Sequence, residues 1–202
     1  MQVTLYESVT LTKRQKKHAL IALGANLPFA GAEPQHTLHS AIDLFESKGL
    51  PVLLVSRFYE TPCFPSGAGP NYVNAAAVVN PSAGMSASDV LAALHEIEAV
   101  FGRTRATRWG MRTLDLDLLA WGTLVLPDAA EQDRWRNLPH AQQANSAPDQ
   151  LILPHPRLQD RAFVLVPLAD VAPDWCHPVL GLTVAEMLAA LPSADRDDVK
   201  LL

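Results

Sequence analysis

Apolar and polar residues along this 202-residue chain recur with two periods, one typical of strands and one typical of helices. Four short segments have the composition or the alternation of strands, and they cover residues 19–23, 52–59, 72–79 and 113–121. The last segment alternates most sharply, so we expect one of its faces to be apolar and the other polar.

Apolar positions spaced by three and four residues predict the helices. Residues 34–47 form the first such segment. Ser86 followed three residues later by Asp89 is close to a capping box, which indicates a second helix N-terminus. Thr183 with Glu186 is a full capping box and predicts a last helix, which ends near residue 191.

Two segments have more than one interpretation. Residues 163–168 are apolar but short, so a helix and a strand both remain open. Residues 122–150 are polar and lack a clear period, which predicts a long loop with a short hairpin or helical turn. Within it, Arg134, Trp135 and Arg136 are candidates to cover a nucleotide, although we expect a disordered insertion.

The predicted elements follow the order β-α-β-β-α-β and then a helical tail. This order predicts an α+β, ferredoxin-like antiparallel sheet with helices packed on one face. We expect a single domain over residues 18–192, with a long loop insertion at 122–150. Residues 1–17 are interpreted as an N-terminal extension and residues 193–202 as a C-terminal tail.

Composition adds limits to this picture. The chain is 49% hydrophobic and 18% charged, as in ordinary globular proteins, and its net charge of −5 gives no general attraction to nucleic acid. The sequence contains no run of about 18 apolar residues, so we expect no membrane span. Cys63 and Cys176 form no disulfide framework, so we expect reduced thiols in a cytoplasmic protein. We expect a monomer that binds neither nucleic acid nor membrane.

The polar face of the segment 113–121 carries a candidate metal site. Asp115 and Asp117 point to the same side of a strand, about 6.6 Å apart at roughly 3.3 Å per residue. Mg²⁺ would relieve their repulsion, since it accepts few carboxylates together with phosphate oxygens and water. The alternative is the solvated outer face of an amphipathic strand.

Four arginines just before these carboxylates favour the metal interpretation. A guanidinium group grips phosphate at two points, and a carboxylate pair beside several arginines suits a Mg²⁺-bound triphosphate. We therefore predict transfer of a phosphorus-containing group from a Mg²⁺-bound nucleotide, and a basic loop paired with surface acids is the alternative. The arginines are Arg103, Arg105, Arg108 and Arg112.

Two further residues are candidates for the same site. Glu98 lies a turn before Arg103 and is placed either to orient an arginine or simply at the surface. His155 lies between two prolines in a rigid loop that also carries Arg157 and Arg161. The chain has no Gly-x-x-x-x-Gly-Lys-Ser/Thr segment, which excludes a P-loop enzyme.

Five motifs in the same order resemble the 6-hydroxymethyl-7,8-dihydropterin pyrophosphokinase family of folate synthesis, over about residues 18–192. The most specific is Arg-Trp-Gly-Met-Arg-Thr-Leu-Asp-Leu-Asp at 108–117. The others are Gly-Ala-Asn-Leu at 24–27, Ser-Arg-Phe-Tyr-Glu-Thr-Pro at 56–62, Asn-Tyr-Val-Asn-Ala-Ala at 71–76 and Leu-Pro-His-Pro at 153–156.

The resemblance implies that the chain moves diphosphate from ATP to the pterin hydroxymethyl oxygen and releases AMP, with two Mg²⁺ ions. Asp115 and Asp117 would be the metal ligands and, with Arg103 and Arg112, the catalytic residues. The implied ATP-binding residues are Glu98, Arg105, Arg108, Arg112, His155 and Arg161. The implied pterin-binding residues are Thr61, Pro62, Phe64, Tyr72, Asn74, Trp109 and Phe163.

Two other functions compete with this one. The first is another Mg²⁺-dependent phosphotransferase that acts on a different hydroxylated heterocycle, and Thr61, Asn74 and Phe163 argue against it. The second is an RNA-binding module, because ferredoxin-like sheets often bind RNA. The acidic net charge and the clustering of the arginines argue against that module.

Overall fold

The computed structural model describes residues 18–63, 69–102, 112–139, 142 and 148–202. The described strands are β1 Ala19–Ala25, β2 Val52–Val55, β3 Tyr59–Thr61, β4 Tyr72–Val79, β5 Asp115–Trp121 and β6 Lys200–Leu201. The described α-helices are α1 Pro34–Phe45, α2 Ala87–Val100, α3 Ala129–Arg136, α4 Ala162–Val171, α5 Val184–Ala190 and α6 Ser193–Asp197. Short 3₁₀ turns cover Glu46–Lys48 and Leu158–Asp160.

These strands form one antiparallel sheet in the order β5-β1-β4-β3-β6, and β2 pairs with β4 beside β3. The predicted antiparallel sheet with packed helices is confirmed. β1 is hydrogen-bonded along its whole length, to β4 on one side and to β5 on the other. It therefore fixes the relative position of the two strands that carry most of the predicted site.

The first face of the sheet is covered by α1 and α2. Ile21 and Leu23 of β1, Leu94 of α2 and Leu116 of β5 are all at most 2% exposed in this core. Helix α2 begins at the predicted capping box, in which Ser86 and Asp89 exchange side-chain and backbone hydrogen bonds. These local signals and the apolar spacing explain why both helices form where the sequence predicts them.

The second face is not left open, so the expectation that helices pack on one face only was wrong. The segment 163–168 is helical and belongs to α4, which packs with α5 against Leu20 and Val78 of the sheet. Because α4 is buried between the sheet and α5, its apolar residues run on without the periodic stripe of a surface helix.

The strand expected over residues 52–59 is two strands, β2 and β3. Between them, the Ser56 hydroxyl accepts a hydrogen bond from the Ala76 N–H at 2.8 Å and donates one to the Arg57 carbonyl at 2.7 Å. A side-chain oxygen thus replaces a backbone carbonyl in the ladder and interrupts the strand. The Asp170 carboxylate of α4 accepts hydrogen bonds from Arg57 and from the Tyr59 hydroxyl near this break.

Two peripheral segments also differ from the expectation. Residues 129–136 of the stretch 122–150, for which we expected a disordered insertion, form the regular helix α3, capped by Asp128. The tail after residue 192 contains the short helix α6 and then β6, which pairs with β3. Neither segment has an apolar period that would predict these elements. Helix α3 buries Gln132 and Trp135, whereas β6 is exposed and is held by its pairing with β3. In the part of the chain that the structure describes, no helix is long and apolar enough to cross a membrane.

Replacing Leu94 by Ala should lower the free energy of unfolding by about 2–5 kcal/mol, because the side chain is fully buried between α2 and the sheet. The matched control is Val100→Ala at the exposed end of the same helix, where the residue is 58% exposed and the change should stay within about 0.5 kcal/mol. Denaturant unfolding of both variants measures the difference. Equal losses would contradict the packing of α2.

His177→Asn should flatten the acid side of the stability profile. Burial, aided by the charge of Arg136, lowers the pKa of the His177 ring from 6.5 to about 4, while its Nδ1 accepts the N–H groups of Val179 and Leu180. The unfolded chain therefore takes up a proton first, and stability is lost as pH falls from 6.5 towards 4, by at most about 3 kcal/mol. Urea unfolding across pH 4–8 tests this. If the free energy of unfolding of the variant depended on pH as it does in the wild type, the prediction would be contradicted.

Candidate functional site

The second sheet face is apolar at one end and polar at the other, and Gly24 lies at the centre of the polar end. In the two ladders of β1, Gly24 is opposite Asn74 of β4 and Asp115 of β5. A Cβ at Gly24 would lie 3.2 Å from the Asn74 Oδ1 and 4.0 Å from the Tyr72 Cδ1 and the Asp115 Cβ. The missing side chain lets groups on β4 and β5 approach each other across β1.

Asp115 and Asp117 share one face of β5, as the alternation predicts, and both are half-buried. The intervening Leu116 points into the core of the first face. Asp115 Oδ2 accepts a hydrogen bond from Arg112 Nη1 at 2.5 Å. The structure thus joins the predicted carboxylate pair to the one predicted arginine of the preceding segment that lies within the described residues.

The Arg112 guanidinium stays charged beside the two carboxylates. Burial alone would lower the pKa of the Arg112 guanidinium, but the charge and hydrogen bond of Asp115 and the charge of Asp117 outweigh it and raise that pKa. Burial raises the pKa of the neighbouring Tyr72 phenol. Arg112 is therefore a permanent cation beside two carboxylates and a neutral phenol.

Glu98 is 1% exposed at the end of α2 and does not lie at the surface. Its Oε1 accepts a hydrogen bond of 2.7 Å from the backbone N–H of Leu116, the residue between the two aspartates. The described contact therefore positions the strand that carries the carboxylates. The orientation of an arginine by Glu98 remains a prediction, because Arg103, Arg105 and Arg108 lie outside the described residues.

His155 is held by a bulge in β5. Leu119 is an extra residue in the ladder with β1, and its carbonyl accepts the His155 backbone N–H at 2.7 Å. The His155 Nδ1 accepts the Arg157 backbone N–H at 3.0 Å, so the ring proton resides on Nε2. Burial and the charge of Arg161 lower the pKa of the ring to about 3. His155 is thus a neutral hydrogen-bond donor.

Arg161 lies immediately before α4, near the same carboxylates. Burial lowers the pKa of its guanidinium, and the charge of Asp117 opposes that shift, followed by a smaller contribution from Asp115. The guanidinium carbon is 5.6 Å from the centroid of the Phe163 ring, whose residue is 41% exposed. A cation and an exposed aromatic ring therefore occupy one side of the site.

The β3 side of the site is formed by two buried polar residues. Asn74 Nδ2 donates a hydrogen bond of 2.8 Å to the Thr61 Oγ1 across the β3–β4 ladder. Thr61 ends β3, and Pro62 follows it in an exposed position. This bond fixes the orientation of the Asn74 amide, whose oxygen lies next to Gly24.

Five predicted site residues lie outside the described residues, so their placement remains a prediction. They are Phe64, Arg103, Arg105, Arg108 and Trp109. Among the described residues, no group of three His, Cys, Asp or Glu side chains is placed to hold a metal ion. Asp115 and Asp117 are two carboxylate donors, a set that fits Mg²⁺ completed by phosphate oxygens and water.

Helix α3, in the segment expected to be disordered, supports the loop of His155. Gln132 is fully buried and its Nε2 donates a hydrogen bond of 3.3 Å to the Pro154 carbonyl. Leu126 and Leu153 exchange backbone hydrogen bonds of 2.9 and 3.1 Å. No periodicity or motif singles out Gln132, because the contact joins two irregular segments.

Comparison with known proteins gives consistent results. The family model described as 7,8-dihydro-6-hydroxymethylpterin-pyrophosphokinase matches residues 20–173. A Pseudomonas aeruginosa protein named 2-amino-4-hydroxy-6-hydroxymethyldihydropteridine pyrophosphokinase is 38% identical over 175 residues, which cover 85% of this chain and 90% of that relative. A Synechocystis protein of the same name is 33% identical over 170 residues, with 84% and 74% coverage.

Solved structures share the fold. A Plasmodium falciparum HPPK-DHPS triple mutant with pteroate has a TM-score of 0.59 at 16% identity, and the match covers 85% of this chain. The same match covers 42% of the Plasmodium chain, so this chain spans less than half of that protein.

Glu98→Leu should lower the free energy of unfolding by about 1–3 kcal/mol, because it leaves the buried N–H of Leu116 without its acceptor. Glu98→Gln keeps a side-chain oxygen at this position and is the matched control, with a smaller loss. Hydrogen exchange at the Leu116 amide should accelerate in Glu98→Leu and much less in Glu98→Gln. Equal exchange in the two variants would contradict the positioning role.

Proposed function

The chain belongs to the 7,8-dihydro-6-hydroxymethylpterin-pyrophosphokinase family, and we propose that its diphosphate donor is ATP, bound with Mg²⁺ at the polar end of the second sheet face. The activity is pyrophosphoryl transfer to hydroxymethyldihydropterin in folate biosynthesis. The observation that carries the site proposal is the position of Gly24, which separates the Asn74–Thr61 pair from the Arg112–Asp115 pair by the width of one strand.

The acceptor side is the β3–β4 half of the site. A pterin is a flat heterocycle with an amide-like edge, so it needs aromatic faces and a paired donor and acceptor. The oriented Asn74 amide supplies the polar edge, and Tyr72 and the exposed ring of Phe163 supply the faces. Backbone groups at Thr61, Pro62 and Phe64, and the Trp109 side chain, complete the proposed pterin set.

The donor side is the β5 half. Asp115 and Asp117 would hold two Mg²⁺ ions, which when bound neutralise phosphate charge and orient the phosphate chain. Arg112 and Arg161 lie beside these carboxylates and supply cations for the phosphates. The neutral His155 donates from Nε2, so it binds an oxygen of ATP without adding charge. Arg103, Arg105, Arg108 and the carboxylate of Glu98 complete the proposed set.

In the proposed reaction the pterin hydroxymethyl oxygen attacks the β-phosphorus of ATP in line. The new O–P bond forms as the bond to the α-phosphate oxygen breaks, and AMP leaves with that oxygen. Asp117 accepts the hydroxyl proton. The protein contributes mainly alignment and charge stabilisation, for which Arg103 and Arg112 are the proposed catalytic cations.

The proposal also covers the topology, the domain bounds and the partners of the protein. The strand order, with β1 between β4 and β5, supports a ferredoxin-like frame extended by the C-terminal segment. We assign the single domain to residues 18–192, and β6 of the tail 193–202 joins its sheet beside β3. The protein is proposed to act as a monomer in the cytoplasm, without nucleic acid or membrane as a partner.

The direct test supplies ATP, Mg²⁺ and 6-hydroxymethyl-7,8-dihydropterin and identifies the nucleotide product. AMP and diphosphorylated pterin should form in equal amounts, whereas ADP would indicate a simple kinase. Asp115→Asn and Asp117→Asn should each lower kcat about 1,000-fold, since either change removes metal-binding charge. Asp43→Asn, exposed on α1, is the control and should keep wild-type kcat. Near-normal turnover in either site variant would show that the metal assignment is wrong.

A further inference from the structure

Asn26, just beyond the end of β1, makes a set of contacts that none of the assignments above uses. The residue is 1% exposed. Its side-chain Oδ1 accepts the Arg112 backbone N–H at 2.8 Å, and its Nδ2 donates to the Pro70 carbonyl at 3.2 Å. Its own backbone N–H donates to the Arg112 carbonyl at 3.0 Å. One amide therefore links two segments that are distant in sequence.

The two linked segments lead to opposite halves of the site. Arg112 carries the guanidinium on Asp115, and its backbone is bonded to Asn26 at both its N–H and its carbonyl. Pro70 lies two residues before Tyr72, the first residue of β4. Asn26 thus sets the backbone from which the phosphate-side cation extends and the approach to the strand that carries Tyr72 and Asn74.

We propose that Asn26 is a positioning residue that fixes the Arg112 guanidinium and the start of β4 relative to each other. This inference rests on the proposed function, because it treats Arg112 as a phosphate-side cation and Tyr72 as a pterin-side ring. Asn is suited to the role since its amide offers a donor and an acceptor on one short, buried side chain. Ala offers neither group, and Asp offers only the acceptor.

Asn26→Ala should lower kcat about 10-fold or more, because a small displacement of a group that acts on the transition state is costly. Asn26→Asp keeps the acceptor for the Arg112 N–H but loses the donor to Pro70, so it should recover most of that kcat while KM for the pterin rises above the wild-type value. The control is Thr183→Ala, which removes the cap of α5 away from the site and should lower thermal stability with kcat and KM unchanged. Equal kcat in the Ala and Asp variants would contradict the link to Arg112.

A double-mutant cycle tests whether Asn26 acts through Arg112. If it does, Asn26→Ala should change kcat less than about 2-fold when Arg112 is already Ala, instead of a further 10-fold loss. Additive losses would overturn the inference. Unchanged kcat and KM in Asn26→Ala would overturn it as well.

Hydrogen exchange at the Arg112 amide separates this inference from the proposed function. Exchange should accelerate in Asn26→Ala and stay close to wild type in Asn26→Asp, whatever reaction the protein catalyses. If wild-type protein forms no AMP but the Arg112 amide behaves in this way, the proposed function fails and the positioning role stands. If AMP forms and the amide exchange is unchanged in Asn26→Ala, only the positioning role fails.

Discussion

The backbone ladder of β1 is the constraint on which the rest of the structure depends. This strand is paired on both sides, so residues that are opposite the same β1 position come to lie on neighbouring strands at a fixed spacing. At Gly24 this spacing brings Asn74 of β4 and Asp115 of β5 to either side of an open position, because the missing side chain leaves room above the strand. Leu20, further along the same face, instead packs under α4 and α5. Two positions on the same face of β1 thus belong to the second core and to the site.

The surroundings of the site keep Arg112 charged and His155 neutral. Asp115 and Asp117 are held beside the cations Arg112 and Arg161, while His155 is kept neutral by burial and by the positive charge around it. A fully cationic site would bind nucleotide without regard to its chemistry, and a carboxylate pair alone would repel it. The neutral imidazole adds a directional hydrogen bond without adding to the positive charge.

The sequence predicted what depends on local patterns and missed what depends on contacts between irregular segments. Alternation placed Asp115 and Asp117 on one face, and capping boxes located α2 and α5. The break at Ser56 was missed because it depends on a distant hydrogen bond with Ala76. Helix α3 was missed because it lacks an apolar period, although Asp128 caps it locally, and its contact from Gln132 to Pro154 joins segments distant in sequence. A family motif led to Asn74, and the two flanking prolines led to His155.

The bulge at Leu119 makes the faces of β5 depend on the number of residues in the strand as well as on their identity. Without the extra residue, strict alternation would put Trp121 on the same face as the aspartates, whereas it is partly buried against the core of the first face. Substitutions along β5 change one contact at a time. A single-residue insertion or deletion would exchange the faces of every residue on one side of the change. Across related sequences, the positions of this strand other than Asp115 and Asp117 should therefore tolerate replacements far more readily than gaps.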